Sequence, residues 1–102
     1  MKKKEFSIIY RKVDKDLVIR KVKGYIDEKI NVGYWKDDYG EYKAYDIASG
    51  LKICQERYLK DCEKIVNEQL LNKIKEARKN NLVKAFVRLM EELNSDDWGD
   101  DL

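Results

Sequence analysis

Residues 30–48, INVGYWKDDYGEYKAYDIA, decide the fold. Two runs rich in strand-forming residues, 30–36 and 41–48, flank Asp37-Asp38-Tyr39-Gly40. Aspartate suits the opening of a turn and glycine admits positive φ, so the stretch predicts an antiparallel hairpin. Everything on either side extends that hairpin or covers it.

Upstream, residues 17–26, LVIRKVKGYI, and 5–13, EFSIIYRKV, are also rich in strand formers. Phe6, Ile8 and Tyr10 alternate, with Ile9 on the opposite face. The polar break Val13-Asp14-Lys15-Asp16 predicts a turn, giving a first hairpin, and Asp27-Glu28-Lys29 predicts the next break. Gly24 inside a strand marks a bulge or a close backbone approach. Downstream, Ser49-Gly50 turns the chain again, and residues 51–55, LKICQ, form a short fifth strand.

From about Tyr58 the period changes. Leu59, Cys62, Val66, Leu70, Ile74 and Ala77 step by three and four, which is one face of a helix running to about Lys79. Asn80-Asn81 interrupts it. A second helix is expected from about Leu82 to Leu93, with Val83, Phe86, Met90 and Leu93 as its apolar stripe. Strands first and helices after predict an α+β fold, an antiparallel meander of four to five strands followed by two helices packed on one face. Residues 1–93 would form that single domain, and residues 94–102 a flexible acidic tail.

Charge is segregated along the chain. The last twelve residues hold six acids and no base, which leaves 22 bases against 14 acids in the rest. The basic residues Lys3, Lys4, Arg11, Lys12, Arg20, Lys21 and Lys23 gather in the first hairpin, together with Lys2 and Lys15. Several such charges on one surface would hold phosphates, with an affinity that falls as salt rises. The competing reading is a solvated edge, where lysine blocks strand-on-strand pairing. Lys73, Lys75, Arg78, Lys79, Lys84 and Arg88 form a second basic group around the helix–helix junction.

Seven aromatics, Tyr10, Tyr25, Tyr34, Trp35, Tyr39, Tyr42 and Tyr45, fall in the expected sheet and its turn. On an exposed face with basic neighbours they could stack bases. The favoured reading is that they fill the sheet face and its turn, since tyrosine is a common strand residue. Lys23-Gly24-Tyr25 matches the opening of an RNA-recognition signature, and Ile26 and Asp27 depart from it.

No histidine is present, which removes the commonest general base and metal ligand. Cys54 and Cys62 are the two cysteines, and they are read as apolar core thiols in a reducing cytosol, not as a metal site. Asp37, Asp38 and Glu41 crowd one turn, where aspartates serve the backbone. There is no glycine-rich phosphate loop and no nucleophile elbow. No run of about 18 apolar residues predicts a membrane span, and Met1-Lys2-Lys3-Lys4 is followed by no apolar segment of signal-peptide length. The chain is therefore read as a cytoplasmic, non-enzymatic protein without a cofactor or metal, as a monomer or homodimer.

Tyr45-Asp46-Ile47-Ala48-Ser49-Gly50-Leu51-Lys52-Ile53 places a Ser-Gly-Leu turn between two strands and ahead of a lysine-rich helix. Over residues 42–75 this resembles small orphan proteins of phages and mobile elements. The resemblance implies a compact accessory protein. Some proteins of that class bind nucleic acid, and others inhibit host defence nucleases, often by charge mimicry. The final eight residues, SDDWGDDL, resemble the acidic tips of single-stranded-DNA-binding proteins, though they end Asp-Leu in place of an apolar pair.

The expected function is thus interaction with a host protein of nucleic-acid metabolism or defence. Asp96, Asp97, Trp98, Asp100 and Asp101 are the expected contacts, with Trp98 as the aromatic anchor. The alternative is direct binding of nucleic acid by the basic first hairpin, with the acidic tail as an autoinhibitor.

Overall fold

The 30–48 stretch folds as the expected hairpin at the centre of a five-stranded antiparallel sheet. In the computed structural model, residues 1–12 and 16–99 are described, without the side chains of residue 11 and residues 93–99. The strands are β1 (Lys2–Arg11), β2 (Leu17–Asp27), β3 (Val32–Lys36), β4 (Tyr42–Asp46) and β5 (Lys52–Glu56), in the spatial order β1-β2-β3-β4-β5. Helix α1 (Leu59–Ile65) runs through a π-helical turn (Val66–Leu70) into α2 (Leu71–Ala77), and α3 (Asn81–Gly99) closes the described chain. The α+β meander read from the sequence is the fold.

Alternation divides the sheet into two packed faces. On one face Val32, Tyr34 and Ala44 meet Cys62, Val66 and Ile74 of the helical segment. Each fully buried apolar side chain there contributes about 1.5–3 kcal/mol. The run Cys62, Val66, Leu70, Ile74 advances by four, faster than 3.6 residues per turn, so its stripe would drift around a regular helix. The π-turn is wider per turn and returns Leu70, Leu71 and Ile74 to the sheet. At its start Asn67 donates its side-chain amide to the Glu63 carbonyl at 2.8 Å.

On the other face Phe6, Ile8, Val22, Ile26 and Tyr45 form a second core. Gly24 is the close approach read from the sequence: a Cβ there would collide with the Tyr34 carbonyl and the Phe6 ring. The sheet also curls. Ile9 N–H donates to the Gly50 carbonyl at 2.8 Å, tying β1 to the turn between β4 and β5. Met90 of α3 packs on this junction against Gly50, so α3 lies along the seam.

Two boundaries differ most from the sequence reading, the others shifting by one or two residues. β1 starts at Lys2 rather than residue 5, because its lysines pair along β2 from Lys2↔Ile26 onwards. Helix α3 continues to Gly99, past the expected end at Leu93. Low apolar content argued for a tail from Asn94, yet asparagine, serine and aspartate only weaken a helix, and Gly99 is the first strong stop. Residues 94–99 are therefore helical in backbone. Asp100 and Asp101 lie outside the described residues, as do the side chains of Asp96, Asp97 and Trp98.

Candidate partner-binding groove

The β3–β4 turn builds the first wall of the site. Asp37 is buried, and its Oδ1 accepts the backbone N–H groups of Tyr39 at 2.9 Å and Glu41 at 3.0 Å. Its Oδ2 lies 3.2 Å from Lys43 Nζ. Burial works to raise the Asp37 pKa, but the Glu41 amide, the Lys43 ammonium and the Tyr39 amide outweigh it and hold the carboxyl below its ordinary range. Turn chemistry thus accounts for Asp37, and it fixes Lys43 in place.

Lys43 is the cross-strand partner of Trp35. Its ammonium sits 5.8 Å from the centre of the indole, and the Arg20 guanidinium of β2 sits 5.0 Å from it. Contacts of this kind contribute roughly 0.5–1 kcal/mol each at an exposed site. Arg20 also lies 4.0 Å from Asp38. One aromatic ring is therefore flanked by two cations, Lys43 anchored by the buried Asp37 and Arg20 in a loose, exposed pair with Asp38.

This cluster lines an open groove of about 730 Å³ between the second-core face, the β3–β4 turn and the start of α3. Ile8, Tyr10 and Tyr45 form its floor, and Leu82 and Phe86 its helical wall. Tyr39, Leu82 and Leu17 line it while remaining 92%, 67% and 53% exposed, which is unusual for large apolar side chains clustered at one site. The Tyr45 hydroxyl is pushed up to about 12, first by burial and then by Asp37, with Arg20 opposing. It stays protonated at neutral pH, and the Asp37 carboxyl stays ionised.

The seven basic residues read from the first hairpin do not share one surface. Pairing of Lys3 with Tyr25, Glu5 with Lys23 and Ser7 with Lys21 puts Lys3, Lys21 and Lys23 on one face, with Glu5 among them. Lys4 and Arg20 take the other. Lys4 Nζ bonds Glu28 at 3.2 Å and Lys2 Nζ lies 3.5 Å from it, and the Lys4 bond, followed by Lys2, lowers the Glu28 pKa. Lys12 is exposed at the hairpin end, and the Arg11 side chain lies outside the described residues. Among the six of these side chains that are described, Arg20 alone lines the groove.

Lys43, Leu17, Leu82 and Phe86 are groove residues that sequence reasoning missed. The alternation of β4 could have placed Lys43 beside Trp35, but nothing local brings the start of α3 to the first hairpin. The seven aromatics also divide: Tyr34 is buried in the first core with Tyr42 packed against it, Tyr10, Trp35, Tyr39 and the buried Tyr45 line the groove, and Tyr25 is half-buried outside it. Because α3 begins at the groove and runs to Gly99, the backbone of Asp96, Asp97 and Trp98 lies at its far end, about 20 Å along the helix from Leu82.

Among the described residues, no three or more Cys, Asp or Glu side chains are grouped to hold a metal ion, and no helix is long and apolar enough to cross a membrane. No family model matches this chain, and no curated protein or solved structure matches it.

Proposed function

We propose that this is a non-enzymatic interaction protein that seats an apolar segment of a protein partner in the groove beside Trp35. The observation that carries the reading is the exposure of Tyr39, Leu82 and Leu17 around one concave, aromatic-floored site. Exposed apolar side chains ringed by charge are the pattern of a binding patch, and a tryptophan flanked by two cations, one of them anchored by the buried Asp37, supplies an aromatic hot spot. The partner class expected from the sequence is a host protein of nucleic-acid metabolism or defence, with the chain acting as an inhibitor or charge mimic. The resemblance over residues 42–75 to phage and mobile-element proteins supports that class.

A second reading has its own observation. Lys3, Lys21 and Lys23 share an exposed hairpin face and would contact phosphates of a nucleic acid.

One experiment separates the two. The full chain and its Leu82→Asp variant are titrated with a single-stranded oligonucleotide at low and moderate salt, and both are used to capture partners. The interaction reading predicts flat oligonucleotide titrations and a nucleic-acid-handling protein retained by wild type and lost by the variant. Salt-sensitive oligonucleotide binding that the variant retains, and a Lys21→Glu/Lys23→Glu variant loses, would establish the second reading instead.

A further inference from the structure

Cys54 and Cys62 bring their sulfurs to 3.4 Å across the junction between β5 and α1. Both are free thiols. Cys54 is partly exposed and Cys62 is fully buried. Their eight-residue separation hides this contact in the sequence, because it depends on the Arg57–Tyr58 turn folding α1 back over β4 and β5. A disulfide needs an S–S distance of about 2.05 Å, so closure asks the sulfurs to approach by roughly 1.4 Å, within reach of side-chain rotation.

We propose that Cys54 and Cys62 form a peroxide-reactive dithiol that closes to an intramolecular disulfide joining β5 to α1. The two sulfurs have different parts. Cys54 has the solvent access that attack requires, and the hydrogen bond from Cys62 favours its thiolate, lowering its pKa. The same bond, and then burial, raise the Cys62 pKa and keep that thiol protonated. Cys54 is therefore the attacking sulfur and Cys62 the resolving one.

The oxidant is a hydroperoxide, of which hydrogen peroxide is the simplest. The Cys54 thiolate attacks one peroxide oxygen and the O–O bond breaks. The leaving hydroxide takes up the proton first lost by Cys54 and departs as water, leaving a sulfenic acid on Cys54. The Cys62 sulfur then displaces the hydroxyl of that sulfenic acid. An S–S bond forms, and the hydroxyl leaves with the Cys62 proton as a second water. Two thiols are oxidised by two electrons and one peroxide is reduced to two waters.

The bond would fasten the first turn of α1 to an edge strand whose first residue, Lys52, lines the groove. Closing so short a loop predicts a rise in Tm of roughly 10–20 °C when the bond forms without strain.

The test uses the full chain under native conditions with a few equivalents of hydrogen peroxide. Intact mass spectrometry should show the loss of two hydrogens, digestion should yield a peptide linking Cys54 to Cys62, and a thiol reductant should reverse both. Cys62→Ser should stop at a sulfenic acid trapped on Cys54, and Cys54→Ser should leave Cys62 unoxidised. The wild-type measurement stands even where a variant fails to fold. Two unchanged thiols, stable over-oxidation of either cysteine, or a disulfide between chains would overturn the proposal.

Discussion

Arg78 at the end of α2 donates from its guanidinium to Asp46 Oδ1 at 2.6 Å, joining the helical layer to the end of β4. The same nitrogen donates to the Ile30 carbonyl at 3.1 Å, and the second Asp46 oxygen accepts from Ser49 Oγ at 2.9 Å. Asp46 is 5% exposed and its charge has little water to turn to. Arg78→Ala is therefore expected to destabilise the fold by about 3 kcal/mol, through the unpaired carboxylate left behind. The paired change Arg78→Met/Asp46→Asn should cost less than Arg78→Ala. Urea denaturation of the three chains measures both quantities.

Tyr34 makes the opposite prediction. Its ring is fully buried in the first core, and its hydroxyl has no hydrogen-bond partner among the described residues. Burial, ahead of the nearby Cys62 and acidic groups, pushes its pKa far up, so the hydroxyl carries a desolvation penalty with no compensating bond. Tyr34→Phe keeps the shape and should be neutral or stabilising by up to about 2 kcal/mol. A clear fall in Tm for this variant would mean that the hydroxyl has a partner.

Much of this fold was legible in the residues. The turn at Asp37–Gly40 and the alternation around it gave the central hairpin, and the change of period near Tyr58 gave the helical layer. The end of the second helix is less legible, because apolar content falls away after Leu93 while no strong helix stop occurs before Gly99. The site was far less legible. The aromatics could be named but not sorted, since their faces depend on how the sheet curls through the Ile9–Gly50 bond. The basic residues of the first hairpin clustered in sequence yet split by strand alternation in space. Arg78, read as part of a basic surface group, is instead occupied by a carboxylate 32 residues away.

The turn that supports Trp35 should weaken in acid. The Asp37 pKa is depressed in the folded chain, so its contribution is fully present above the unfolded value of about 4 and fades as pH falls through the lower folded value. Asp37→Asn should cost about 1–2 kcal/mol at pH 7. The gap between variant and wild type should narrow below about pH 4. Thermal melts of both chains across that range test the sign.

Two turn glycines separate backbone strain from packing. Gly40 has φ of 85° and open space around it, whereas Gly50 has φ of 75° with Met90 directly against the position of a Cβ. Gly40→Ala should cost about 1 kcal/mol, from the left-handed conformation alone. Gly50→Ala adds overpacking at the β1–α3 seam and should cost at least about 2 kcal/mol. Equal losses in denaturant melts would show that α3 does not press on this turn.

The most direct measurement is partner capture by the full chain set against its Leu82→Asp variant, with both shown to melt at the same temperature. Leu82 is 67% exposed on the wall of the groove, so the change should leave the fold intact. Use of the groove predicts that the variant retains no more than about a tenth of the partner, the equivalent of a contact worth 1.4 kcal/mol or more. Equal capture by the two chains would contradict it and place the binding surface elsewhere on the molecule.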